Sequence, residues 1–372
     1  MRVTRVSLRD FRNIERATLA LGPGTTVVSG PNGAGKTNLL EAIYFGCTAR
    51  AARATNEREL LRRGAAALRV EVDVAGEGEA HSIEVGFTPG QPKRVLLDGA
   101  PEEGLLGSEA RPLVSVFLPD RLELVKGAPG VRRRQLDRLV AGLWPARAPT
   151  RAAYSRALAQ RNALLMRIRA GVAGPGALDA WDRELAGLGA QLIDDRRTAE
   201  SRLAPLFATR AADLGLPEEA ELRYLPRSRA TDADGLAAEL GERREADLER
   251  GFTAHGPHRD DLRLLHAGQP LRGDGSQGQQ RAAVLALLFA ERDLLATERR
   301  RPPLMLLDDV MSELDGVRRE RLAELLQGAG QTVITTTDRG HVPLGEDDGT
   351  RYVEVAAGNV RSTAAAGGAV AA

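Results

Sequence analysis

Residues Gly30–Asn38 read GPNGAGKTN, and they decide what kind of fold surrounds them. The spacing Gly30-x4-Gly35-Lys36-Thr37 is that of a phosphate-binding P-loop. Gly33 and Gly35 let backbone N–H groups turn inward on phosphate oxygens with no Cβ in the way. Pro31, Asn32, Ala34 and Asn38 fill out the turn that wraps the nucleotide. Lys36 reaches the β and γ phosphates, and the Thr37 hydroxyl is a ligand for Mg²⁺. The flanks agree. TTVVS (25–29) has the β-branched composition of a buried strand, and Leu39, Leu40, Ala42, Ile43 and Phe45–Cys47 describe a helix packed on a sheet. That helix points its positive N-terminal end at the same anion.

A P-loop needs a second strand that delivers a carboxylate to the metal. PLMLLDD (303–309) is an apolar run ending in two aspartates, the form of a Walker B strand. Asp308 completes the Mg²⁺ shell with Thr37, and Asp309 orients or activates the attacking water. Lys36, Asp308 and Asp309 are thus the expected catalytic residues. Between the two motifs, GDGSQGQQR (273–281) opens a long apolar helix. Ser276 can be the N-cap of that helix. The segment also has the S-x-G-Q form of the ABC-type signature, which would make Ser276, Gly278 and Gln279 nucleotide-binding residues. SELD (312–315) then stands where a D-loop belongs. The four ordered motifs predict an α/β ABC-type P-loop ATPase head with a mixed sheet, using ATP and Mg²⁺.

Composition narrows the partners. The 372 residues suffice for two or three domains, with 42% apolar and 28% charged residues. Net charge is +1, so no global field draws in a polyanion, which must be met by local patches. Aromatic residues make up 3%, which excludes base stacking as the main binding device. Basic residues are almost all Arg, with Lys only at 36, 93 and 126. The single Cys47, on the apolar side of its helix, reads as a small core residue and suits a reducing cytoplasm. MRVTRVSLRDF has charges where a signal peptide needs an apolar run, and no stretch approaches the ~18 apolar residues of a membrane span. The expected location is cytoplasmic, with no membrane partner.

Strands are expected at Val3–Arg9, Ala17–Leu21, Leu68–Val74, Ser82–Phe87, Arg94–Leu97 and Leu113–Phe117. From about 131 to 249 the patterns are helical, broken by a turn at Gly171–Gly176, and the mixed α/β pattern resumes after Gly251. The expected organisation is a discontinuous ATPase domain (1–128 and 250–361), an inserted mainly helical domain (129–249) and a disordered tail (362–372). No sustained heptads support a long coiled coil.

LRDFRN, GPNGAGKTNLLEAIYF, GAPGVRRRQLD, GPHRDDL, GSQGQQR and LLDDVMSELD occur in this order. Together they resemble the RecF family, bacterial recombination and DNA-repair ATPases related to SMC proteins, over residues 1–361. GPHRDDL and GSQGQQR are the most discriminating pieces. The resemblance implies an ATP-dependent homodimer in which the P-loop of one subunit faces Ser276 of the other. It implies binding to double-stranded and gapped DNA, weak DNA-stimulated ATP hydrolysis, and partnership with RecR, and through it RecO, in loading RecA. By analogy with SMC heads it places Arg12 against the adenine.

Some residues depart from the wider ABC pattern. Asp309 stands where many relatives have Glu, Thr337 in TTTDR (335–339) stands where transporters carry a switch histidine, and FLPDRL (117–122) offers Asp120 in place of a Q-loop glutamine. Slow turnover, suited to a switch, is the expectation. Two rivals are a P-loop small-molecule kinase, which needs neither SQGQ nor SELD, and a transporter ATP-binding subunit, which should carry the Q-loop and histidine. A purely structural SMC-like role lacks an arm long enough to embrace distant DNA. Arg62/Arg63, Arg132–Arg134 and Arg299–Arg301 are candidate phosphate contacts, Arg132–Arg134 foremost. His255 and His258 read as structural, and Trp144 and Trp181 as helical core.

Overall fold

The computed structural model describes every residue except 55, 77, 103–104, 106–107, 109, 217–218, 313, 328–329, 345–348 and 364–372. The chain forms two compact units. The first joins both chain ends (Met1–Arg121, Asp213–Gly215, Leu295–Ala372), and the second comprises Leu122–Ala212 and Leu216–Leu294.

In the first unit, β1 (Arg2–Phe11), β2 (Ile14–Ala20), β4 (Leu68–Ala75), β5 (Ala80–Phe87), β6 (Arg94–Leu97) and β7 (Ala100–Pro101) make an antiparallel sheet in the order β2-β1-β4-β5-β6-β7. The other sheet contains β3 (Thr25–Ser29), β8 (Val114–Phe117), β12 (Leu304–Leu307), β13 (Thr332–Thr336), β14 (Arg351–Ala356) and β15 (Asn359–Thr363). Its order is β15-β14-β3-β13-β12-β8, parallel except for the β14–β15 hairpin. Every residue of β3, β12 and β13 is buried, which is why these strands read as unbroken runs rather than alternating ones.

Helix α1 (Lys36–Thr48) shares one core with both sheets. Its Leu39, Leu40, Ile43 and Phe45 cluster with Val70, Val72 and Ile83 of one sheet and with Val28, Leu306 and Val333 of the other. A Cβ at Gly46 would stand 2.4 Å from the Val72 side chain, so only glycine lets the helix come this close to β4. Cys47 is fully buried, and burial pushes its thiol up to about 12; it is the core residue its pattern suggests. Gln331, just before β13, ties the two ends of the chain together. Its Nε2 donates to the carbonyls of Val3 (2.6 Å) and Gly22 (2.7 Å), and its Oε1 accepts from the Val3 N–H (2.9 Å). Helix α10 (Gly316–Leu326) starts at Asp315, whose carboxylate accepts from the Arg318 N–H.

The second unit contains α2 (Glu123–Lys126), α3 (Pro129–Leu143), α4 (Ala148–Arg169), α5 (Leu178–Asp213, its last residue counted with the first unit), α6 (Ala233–Glu242) and α7 (Arg244–Arg250). It continues with α8 (Leu271–Asp274) and most of α9 (Gln277–Arg299). The α4–α5 break falls at the expected Gly171–Gly176 turn. The compact units nevertheless divide elsewhere than at 129 and 249. Strand β9 (Ala220–Leu225), unforeseen in a region read as helical, pairs antiparallel with β10 (Asp261–His266), and β10 with β11 (Gln269–Pro270). This pairing holds residues 250–294 to the helical half. The tail expected to be disordered from 362 is strand through Thr363, and 364–372 lie outside the described residues.

Two buried arginines organise the second unit. Arg161, fully buried, donates from Nε to Asp182 (2.6 Å) and from one terminal nitrogen to Asp247 (2.8 Å) and Thr253 Oγ1 (2.7 Å). Arg196 bridges Asp137 (2.8 Å) and Asp260 (3.0 Å). Asp260 also accepts from the Tyr224 hydroxyl and the Arg227 N–H. Within the RDD of GPHRDDL, Asp260 is thus a buried junction, while the half-buried Asp261 pairs with Arg132. Trp144 departs from its expected core role: it is half-buried, flanked by the guanidiniums of Arg147 (4.5 Å to the ring) and Arg202 (5.4 Å). No helix among the described residues is long and apolar enough to cross a membrane.

Candidate nucleotide site

The carboxyl ends of β3, β12 and β13 lie side by side, the edge where open α/β sheets place their ligands. The P-loop leaves β3 there and runs into α1. A Cβ on Gly30 would sit 2.1 Å from the Val355 carbonyl oxygen, so that position admits only glycine. Gly33 has φ 76°, the left-handed region, with open space where a side chain would project. The Lys36 ammonium is buried against the loop and donates to the carbonyls of Gly30 (2.7 Å) and Pro31 (3.0 Å). These two bonds curl the side chain over the cradle formed by Pro31, Asn32, Gly33, Ala34 and Gly35.

The two motifs read from opposite ends of the sequence meet here. Thr37 Oγ1 donates to Asp308 Oδ2 at 2.7 Å, across 271 residues of chain. Thr335 Oγ1 donates to the other oxygen, Asp308 Oδ1, also at 2.7 Å, and accepts from the Asp309 N–H at 2.9 Å. Burial raises the pKa of Asp308, an effect opposed by the bonds from Thr335 and Thr37 and by the charge of Arg53. Asp309 takes a left-handed backbone (φ 49°), and its Oδ1 is buried without a hydrogen-bond partner among the described residues. Ser312 of the D-loop donates to the Asp309 carbonyl (2.9 Å), while Glu313 lies outside the described residues.

Arg12 is bidentate to Glu41, Nε to Oε2 at 3.0 Å and a terminal nitrogen to Oε1 at 3.2 Å. Glu41 is fully buried in α1 and also accepts from Arg53 (3.2 Å). Asn13 Nδ2 donates to the Ala34 carbonyl (3.2 Å), and its Oδ1 accepts from Asn38 (2.8 Å). Asn13, Arg53 and Thr335 escaped the sequence reading. Asn13 stood inside the quoted LRDFRN. Thr335 opens TTTDR, whose third threonine, Thr337, is exposed at the strand end. Arg53 had no motif to mark it. The side chain of Asp120 lies outside the described residues.

The signature segment belongs to the second unit, at the start of α9. Ser276 Oγ accepts from the Gln279 N–H (3.3 Å), and Gln279 Oε1 accepts from the Ser276 N–H (2.8 Å). This is a reciprocal capping box. Ser276 is exposed, and Gly278 and Gln279 are half-exposed. In the candidate basic clusters, Arg132 is buried on Asp261 and Arg62 pairs with Asp10 at 2.7 Å. His258 and His255 are structural, His258 between Tyr154 and the Thr253 carbonyl, His255 on Glu239.

Comparison with known proteins places this geometry. A family model described as an AAA domain matches residues 5–117. The chain is 40% identical to the DNA replication and repair protein RecF of Anaeromyxobacter sp. (strain Fw109-5), over 97% of this chain and 99% of that protein. It is 39% identical to RecF of Frankia alni, again over 97% and 99%. The chain belongs to the RecF family. A solved structure of the recombination mediator protein RecF with ATP, in the RecFOR pathway, superposes with a TM-score of 0.88 at 28% identity, covering 97% of each chain. An SMC head bound to a winged-helix domain of ScpA shares the fold at a TM-score of 0.58 and 15% identity. The RecF-family chain is thus an ABC-type ATPase head carrying a helical insertion, and the kinase and transporter readings are not favoured.

Proposed function

We propose that this RecF-family chain is an ATP-driven clamp on DNA. The contact that carries the reading is Thr37 Oγ1 to Asp308 Oδ2 at 2.7 Å, which pairs a hydroxyl and a carboxylate where a nucleotide-bound metal would be held. Two hard oxygen donors fit Mg²⁺, which takes one or two carboxylates and completes its shell with phosphate and water. Among the described residues no cluster of three His, Cys, Asp or Glu exists to hold a metal unaided. Thr37 and Asp308 would be its protein ligands, and the ion would neutralise charge on the β and γ phosphates. Lys36 binds the same phosphates. Asp309, with an unpaired Oδ1, orients the attacking water. The face of Arg12, fixed by Glu41, receives the adenine.

The second half of the site comes from another copy. In the capping box the Ser276 hydroxyl uses a lone pair on Gln279, which leaves its proton to donate to a γ phosphate. Ser276, Gly278 and Gln279 also open a 23-residue helix, whose N-terminal N–H groups favour an anion. ADP lacks the phosphate they would hold, so ATP pairs the subunits and slow hydrolysis parts them. The clamp closes on double-stranded or gapped DNA in the cytoplasm and works with RecR, and through it RecO, in loading RecA.

Sedimentation velocity with ATP and Mg²⁺, against ADP, tests the clamp. Pairing is expected with ATP alone. Lys36→Met should abolish it by weakening ATP binding about 100-fold or more, the worth of two charge-assisted hydrogen bonds. Ser276→Arg should still bind ATP and stay single. A wild-type chain that remains solitary when saturated with ATP overturns the proposal.

A further inference from the structure

A second anion site lies in the helical unit, in a cavity of about 180 Å³ at the start of α3. Four guanidinium groups, those of Arg133, Arg134, Arg151 and Arg196, line it against one carboxylate, Asp137. That carboxylate is already shared, accepting from Arg196 at 2.8 Å and from Arg151 at 2.9 Å. Arg133 gives one bond to the Asp260 carbonyl (2.6 Å), and neither it nor Arg134 forms an ion pair among the described residues. Their two heads converge. A Cβ built on Gly130 would lie 3.6 Å from a terminal nitrogen of Arg133 and 3.6 Å from one of Arg134. The space beside Gly130 is thus faced by two guanidiniums, and α3, a 15-residue helix, adds the positive end of its dipole. Burial and the nearby Arg196 lower the pKa of Arg133, against the opposing charges of Asp260, Asp261 and Asp137.

We propose that this cavity binds a backbone phosphate of duplex DNA, so that Arg133, Arg134 and the α3 start fix the duplex on the helical unit. The inference rests on the DNA-clamp reading above. Arg134 and Arg151 are exposed at the rim, as an extended polyanion requires, whereas a small metabolite would need enclosure. The cavity is several times the roughly 30 Å³ of one water, enough for a phosphate group with its waters. Of the rings lining it, Tyr154 is buried and bonded to His258, and His258 is held between Tyr154 and the Thr253 carbonyl. A contact of this kind positions the duplex without reading its sequence.

The test is fluorescence anisotropy with a labelled 20-bp duplex, ATP and Mg²⁺, from about 50 to 200 mM salt, a range over which phosphate contacts show as a slope of about −0.9 each. Arg134→Ala should lower the magnitude of that slope by about one contact and weaken binding equally across unrelated sequences. Gly130→Asp, which sets a carboxylate between the two guanidiniums, should do the same. Both positions are at the surface or on ordinary helical backbone, and matched urea midpoints would show that the fold is kept. Neither variant should alter ATP-driven pairing. If wild type binds duplex and both variants keep its slope, the phosphate site is wrong while the clamp stands. If wild type does not bind duplex at all, the clamp reading itself fails and the inference with it. If the variants lose only polyglutamate binding and leave duplex binding untouched, the cavity takes a carboxylate polymer and the inference is overturned.

Discussion

Thr335 and Asp308 are joined by a 2.7 Å hydrogen bond, hydroxyl to carboxylate, and the same hydroxyl accepts from the backbone of Asp309. One side chain on β13 therefore fixes both aspartates at the end of β12. With Oδ1 occupied by Thr335, Asp308 presents Oδ2 towards Thr37. Thr335→Val keeps the shape and removes the bond. A hydrogen bond to a charged group contributes about 1.5–3 kcal/mol, so ATP turnover should fall roughly 10- to 100-fold. The loss should show chiefly as a raised Mg²⁺ requirement, with nucleotide affinity at saturating Mg²⁺ little changed. Thr335→Ser should restore activity. A Val variant with a wild-type Mg²⁺ titration would remove Thr335 from this role.

Asp309 calls for a different experiment, because its buried Oδ1 bonds to nothing among the described residues. Asp309→Asn changes charge without changing size. Loss of a residue that activates water typically costs about 100-fold or more in the chemical step. Single-turnover hydrolysis should slow by that order while ATP binding persists, and the ATP-paired state should outlast that of wild type in sedimentation.

Acid should destabilise the helical unit through His258. Thr253 offers only a carbonyl, so Nε2 carries the ring proton and Nδ1 accepts from the Tyr154 hydroxyl. Burial lowers the pKa to about 4, with Arg259 and Arg133 acting in the same direction and the Thr253 bond and Asp247 against it. In the unfolded chain the ring protonates near the ordinary 6.5. Between these values the unfolded state binds the extra proton, so stability falls as pH drops from about 6.5 towards 4. The full effect is on the order of 3 kcal/mol. Urea midpoints at pH 7 and 4.5 measure it, and His258→Asn should flatten that part of the pH dependence.

Arg161 should be among the costliest side chains to remove from the second unit. It is fully buried and pairs with Asp182 and Asp247 at once, Asp182 being shared with Arg244. Arg161→Leu leaves buried carboxylates short of a partner, and breaking such a pair costs about 3–5 kcal/mol. Denaturant unfolding followed at Trp181, which packs beside Leu164, Leu165 and Leu178, reports on this region directly.

Where the sequence was informative, local chemistry carried the signal. A P-loop demands glycines with particular backbone angles and a helix behind it, and a buried parallel strand demands an unbroken apolar run. Both demands are written in contiguous residues, so β3, α1 and β12 were legible nearly to the residue. Pairing partners were not. The strand AELRYL shows only three buried positions in six residues, and its partner lies some 40 residues on, so β9 passed as part of a helical region. Arg132 illustrates the same limit. In RRR the three side chains look alike, yet one helical turn buries the first on Asp261, half-buries the second and exposes the third. Burial, which separates a structural arginine from a phosphate ligand, is a property of the folded neighbourhood.

The strand that launches the P-loop has β13 on one side and β14 on the other, and both are made from residues after 331. A growing polypeptide therefore cannot shape its nucleotide pocket until the residues of β13 and β14 have been translated. Nascent chains interrupted before that point would leave the ribosome unable to grip ATP, so the switch cannot engage on an unfinished molecule.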